Sequence, residues 1–147
     1  TSFDPIEARN RKATIVIEHL IQASDVSHTM QHWHIYRKWN EALFMEMYHA
    51  YKLGRLATDP SEGWYAGEIG FLDYYVLPLA KKLETCGVFG VSSDEFRIYA
   101  MENRKEWELK GRQIVQDYLA KYNSSLDESN RFPMRNGGKF PKRRSIG

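Results

Sequence analysis

The 147-residue chain is 42% hydrophobic and 14% aromatic, enough apolar mass for one packed domain and too much for a solvated, disordered chain. Its mean hydropathy of −0.60 is too low for a membrane bundle, and the apolar stretch from Tyr74 to Ala80, bounded by Asp73 and Lys81, falls far short of the roughly 20 residues a spanning helix needs. The net charge of +2 hides an uneven distribution: residues 126–147 carry six basic side chains against Asp127 and Glu128, and residues 1–125 carry 15 basic against 17 acidic, so the body is mildly acidic and nucleic-acid binding is not expected.

The apolar spacing is helical almost throughout, and alternating strand patterns with hairpin turns are missing, so the chain reads as all-α. A first helix is expected from about Pro5 to Ser24, with Asp4 as a possible cap and Pro5 in the first turn. A second runs from about Gln31 to Leu53 and stops at Gly54. Asp59 or Ser61 then caps a third helix, roughly Glu62 to Thr85, in which Pro78 should produce a kink. Gly87 and Gly90 end it, and Ser92-Ser93-Asp94-Glu95 opens a fourth that reaches about Tyr122. The Asn/Ser/Gly/Pro content and basic charge of the remainder suggest a division into a folded part, 1–122, and a disordered basic tail, 123–147.

The single cysteine, Cys86, has no intramolecular partner, which favours an intracellular, cytoplasmic setting. His28, His32 and His34 invite a zinc reading, but their spacing brings at most two to one helical face and no Cys or His-Glu-x-x-His accompanies them. Nucleophile elbows and phosphate-cradling glycine loops are also missing from the sequence. Asp25, in Ser24-Asp25-Val26-Ser27-His28, sits at the end of an apolar helix, where a carboxylate serves either as a cap or as a metal ligand.

The stretch from Ile21 to Phe89 resembles the C-terminal portion of the class I 3',5'-cyclic nucleotide phosphodiesterase catalytic domain. Ser24-Asp25-Val26-Ser27-His28 is similar to that family's Ala-Asp-Leu-Ser-Asn, Tyr36-Arg37-Lys38-Trp39 to its Tyr-Arg-x-Trp, and Glu46-Met47 to its Glu-Phe. Glu68-Ile69-Gly70-Phe71-Leu72-Asp73, followed by Pro78-Leu79, resembles Gln-x-Gly-Phe-Ile-Asp-x-x-x-x-Pro-Leu, and Asn103 to Trp107 resembles the Asn-x-x-x-Trp of some members.

The resemblance implies hydrolysis of cGMP and/or cAMP to 5'-monophosphates in cyclic nucleotide signalling, by a two-metal site holding Zn plus Mg or Mn. It makes Asp25 a metal ligand, places Leu43 and Phe71 on either side of the purine, and puts Glu68 and His28 at substrate-contacting positions. Tyr36, Trp39, Glu46 and Asp73 take packing and supporting roles. Two departures accompany these matches. Glu68 stands where the family has Gln and His28 where it has Asn. The family's His-Asn-x-x-x-His and His-Asp motifs, and its leaving-group His, have no counterpart in this sequence, so the chain reads as a fragment that works with the remainder of the catalytic domain. The alternative is a non-catalytic helical interaction module derived from the same fold.

Overall fold

The computed structural model describes residues 5–87, 89–90 and 94–131, with side chains as far as Leu126. These residues form α1 (Pro5–Asp25), a 3-10 turn (Ser27–Met30), α2 (Trp33–Lys52), α3 (Pro60–Phe71), a π turn (Leu72–Val76), α4 (Leu77–Cys86) and α5 (Glu95–Arg131). The protein is all-α, and no strand occurs among the described residues.

The two helices α2 and α5 bury stripes that their sequence spacing predicts. On α2, Tyr36, Asn40, Phe44 and Tyr48 recur every fourth residue and are all buried. On α5, Ala100, Asn103, Trp107, Ile114, Val115, Tyr118 and Tyr122 are buried at the three- and four-residue intervals of one helical face. The α5 stripe is the centre of the molecule, in contact with α2, α3, α4, the 3-10 turn and the π turn. Aromatic rings interlock across it: Tyr36 meets Trp107 edge-on at 6.2 Å, Phe44 meets Trp64 edge-on at 5.1 Å, and Tyr48 meets Tyr122 edge-on at 4.9 Å. Such edge-to-face contacts add to area burial about 0.5–1.5 kcal/mol per pair. Gly111 lets α5 and α3 approach closely, since a Cβ there would lie 2.9 Å from the rings of both Trp107 and Tyr65.

The helix boundaries depart from sequence expectation in three places. α2 begins at Trp33, because residues 27–30 close into a separate 3-10 turn. The expected kinked third helix is two α-helices joined by a π turn. In that turn the Leu77 N–H bonds to the Leu72 carbonyl five residues back, and Pro78, which has no N–H, falls in the first turn of α4 where no donor is required. α5 continues to Arg131. Ser124 and Ser125 do not break it, since their hydroxyls donate to the carbonyls of Lys121 and Tyr122 one turn back. Asp59 does cap α3, its carboxylate accepting from Ser61 N–H at 2.8 Å. Gly87, with φ of 64°, ends α4 in the left-handed region. The expected caps Asp4, Ser92 and Ser93 and the tail beyond Arg131 lie outside the described residues.

Candidate functional site

α2 and α3 diverge over a mostly apolar cleft of about 380 Å3, lined by Leu43, Met47, Pro60, Gly63, Trp64, Gly67, Glu68 and Phe71. This volume lies within the roughly 300–1,000 Å3 of small-molecule sites. Gly63 and Gly67, one turn apart on α3, bring no side chain to the lining, and Leu43 and Phe71 reach it from different helices. Phe71 is backed by Tyr75, whose ring stacks on it at 5.4 Å and 12°. Glu68 is the sole ionisable group on the lining.

That carboxylate is held from below. The Tyr36 hydroxyl donates to Glu68 Oε2 at 2.6 Å, and the nearby Asn40 side chain favours the charged carboxylate. Asn40 is oriented in turn by the Trp64 indole N–H, which donates to its Oδ1 at 3.1 Å. Burial pushes Glu68 above the usual carboxylate range, and Tyr36 and Asn40 oppose that rise. Tyr36 itself is shifted upward, by burial first and by the Glu68 charge second. It is therefore a phenol that donates and does not ionise. A carboxylate has about four lone-pair sites, so the bond from Tyr36 leaves acceptor capacity for a ligand.

The structure thus brings Leu43, Glu68 and Phe71 together, with Tyr36 beneath Glu68. The other sequence-derived positions lie elsewhere. Asp25 is the exposed last residue of α1, the negative end of the helix dipole, and among the described residues it has no hydrogen-bond or ion-pair partner, so it does not act as a cap. His28 lies on the 3-10 turn, half-buried, its pKa lowered by burial, with its ring tilted against Trp39 at 5.9 Å. Trp39 is 58% exposed. Glu46 faces a separate open groove of about 800 Å3 between α2 and α5, shared with His49, Lys121 and Tyr122. Asp73, on the π turn, forms a two-pronged ion pair with Arg104 at 2.8 and 3.2 Å.

Sequence reasoning passed over Asn40 and Trp64 as site residues, and quoted Met47 only as part of a motif without assigning it to the cleft. Asn40 carried a usable signal, a polar residue in the otherwise aromatic Tyr36-Phe44-Tyr48 stripe of α2. His28, His32 and His34 do not share a helix: His28 lies in the 3-10 turn, His32 is the residue before α2, and His34 is within it.

A family model described as 3'5'-cyclic nucleotide phosphodiesterase matches residues 2–88, which include α1 through α4 and the whole cleft. The chain belongs to that family. No curated protein and no solved structure matched it. Phosphodiesterases of this family are metal-dependent hydrolases. The side chains present do not by themselves fit a two-metal centre. Among the described residues no group of three or more His, Cys, Asp or Glu is placed to hold a metal ion, and a lone exposed carboxylate such as Asp25 lacks the remaining donors that divalent ions require. No described helix of the chain is long and apolar enough to cross a membrane.

Proposed function

We propose that this chain supplies the base-binding part of a cyclic nucleotide phosphodiesterase domain, with the purine held flat between Leu43 and Phe71 and its edge met by Glu68. The observation that carries this reading is the convergence of those three side chains on one cleft, with Glu68 held by Tyr36. An aromatic and an aliphatic side chain lining one cleft suit a flat heterocycle, and Phe71 is already steadied by Tyr75. In this proposal Asp25 contributes one metal ligand, and the remaining donors come from outside this chain.

Glu68 also points to a base preference. Ionised, it only accepts, which matches the N1–H donor of guanine and opposes the N1 lone pair of adenine. A charge-assisted bond gained and a repulsion avoided together favour cGMP by on the order of 10- to 100-fold. Because burial raises Glu68, falling pH converts it into a carboxylic acid that can donate, and the preference narrows.

The test is titration of the chain with cGMP and cAMP, followed through the emission of Trp64 in the cleft wall. We expect saturable binding, tighter for cGMP at pH 8, with the gap closing as pH falls. Phe71→Ala should weaken both nucleotides, and Glu68→Gln, which restores a donor, should shift the balance toward cAMP. An absence of saturable response would support the helical interaction module instead. Equal affinities at pH 8 that Glu68→Gln leaves unchanged would remove Glu68 from base reading.

A further inference from the structure

Two adjacent residues of α5 connect both edges of the proposed site, although they lie beyond the stretch matched by the family model. Asn103 is fully buried, and its amide nitrogen donates to the carbonyls of Thr29 at 2.9 Å and Gln31 at 2.7 Å. Those carbonyls flank the end of the 3-10 turn that carries His28 and follows Asp25. Both amide protons are used on this turn, while the Asn103 Oδ1 is buried without a partner among the described residues. The side chain is thus committed to that turn at the cost of leaving an acceptor unsatisfied.

Arg104 reaches the other edge. Its Nε and one terminal nitrogen grip the two oxygens of Asp73, and its other terminal nitrogen donates to Glu108 at 2.6 Å. Asp73 is two residues beyond Phe71, inside the π turn whose Leu72 and Val76 are fully buried. The turn is therefore pinned by apolar burial on one side and by a two-pronged ion pair on the other, which supplies the fixed geometry that a bidentate arginine gives best. Neighbouring residues on a helix point about 100° apart, from 3.6 residues per turn, so one position on α5 reaches the 3-10 turn and the next reaches the π turn. Trp107, fully buried one turn further on, anchors that stretch of α5.

We propose that Asn103 and Arg104 are positioning residues that hold the 3-10 turn and the π turn in register, and that Arg104, through Asp73, sets the placement of Phe71 for nucleotide binding. The second half of this proposal rests on the base-binding reading above, and the first half does not.

The experiment uses Arg104→Gln, Arg104→Lys and Asn103→Asp in the full chain, with two readouts: amide hydrogen exchange and the dissociation constant for cGMP. Arg104→Gln should speed exchange at Leu77, whose N–H closes the π turn, and weaken cGMP by about tenfold, the scale of a slightly misplaced contact residue. Arg104→Lys keeps the charge without the fork and should fall between Gln and the parent on both readouts. Asn103→Asp removes both donors and should speed exchange at Thr29, which bonds to Val26, while leaving Leu77 at its parent rate. Parent-like exchange at Leu77 in Arg104→Gln overturns the positioning role, as does faster exchange with cGMP affinity unchanged. A parent chain that binds no cGMP would overturn the base-binding reading, with the exchange rates alone then deciding whether α5 holds the two turns. If Asn103→Asp fails to fold, the Arg104 pair still decides the role of that residue.

Discussion

The bond from the Tyr36 hydroxyl to Glu68 is short, at 2.6 Å, and it joins a buried phenol to a carboxylate that burial pushes upward. A raised folded pKa means that the folded chain keeps the Glu68 proton at pH values where the unfolded chain has lost it. This stabilises the fold in acid, and the benefit is lost as pH rises from the ordinary carboxylate range through the raised folded value. Tyr36→Phe should expose the same titration. With Glu68 protonated the substitution removes a neutral bond worth about 0.5–1.5 kcal/mol, and with Glu68 ionised it removes a charge-assisted one worth about 1.5–3 kcal/mol. Urea melts at acid pH and at pH 8 should therefore show the larger loss at pH 8, and Glu68→Gln should abolish the difference. An equal loss at both pH values would mean that Glu68 does not change charge across that interval. The position of Glu68 was legible in the sequence, since it lies three residues before Phe71. Its partners were only partly legible. Tyr36 is 32 residues away and Asn40 is 28, and only the packing of α2 on α3 places them under the carboxylate.

At the level of elements, α3 and α5 approach closely at Gly111. Alanine is the better helix former by about 1 kcal/mol, but its methyl would sit 2.9 Å from ring atoms of both Trp107 and Tyr65. Trp107 is fully buried and its indole N–H is tied to the Tyr65 carbonyl at 3.2 Å, so neither ring moves away freely. The overpacking, worth about 1–3 kcal/mol, should prevail over that gain, leaving Gly111→Ala destabilised by up to about 2 kcal/mol in thermal or urea unfolding. A stabilised variant would show that the two helices separate easily. Helix existence was legible because the stripes on α2 and α5 follow the 3.6-residue period, and Gly54, Asp59 and Gly87 carry standard stop and cap chemistry. The breaks were less so. Pro78 announced a disturbance, yet only the ladder in space shows that it takes the form of a π turn five residues long. Likewise, nothing local in Asn123-Ser124-Ser125 favours helix, and the serine back-bonds and the packing of Tyr122 carry α5 past it.

Over the whole molecule, burial is uneven. α5 is surrounded, whereas α1 packs mainly on α4. Leu20 and Ala23 face the core, and His19 Nδ1 meets Cys86 Sγ at 3.6 Å, but Ile6, Ile17 and Ile21 lie on a flanking face and are 55–61% exposed. Residues 17 and 21 are one turn apart and form an exposed apolar ridge, with Ile6 on the same line three turns earlier. Trp39 and Leu43 add a second exposed pair one turn apart on α2. Contiguous apolar surface of this kind recruits other apolar surface. The chain in solution should therefore bind a hydrophobic dye and self-associate with rising concentration. Ile17→Glu combined with Ile21→Lys breaks the ridge and creates a favourable pair at i, i+4. Since neither side chain supports the core, the double variant should reduce both dye binding and association while changing unfolding stability by no more than about 0.5 kcal/mol. Sedimentation and dye fluorescence read the outcome. A parent chain that stays monomeric and dye-free at high concentration would show that the ridge does not drive association, and a large stability loss in the variant would show that α1 packs through the face that carries Ile17 and Ile21.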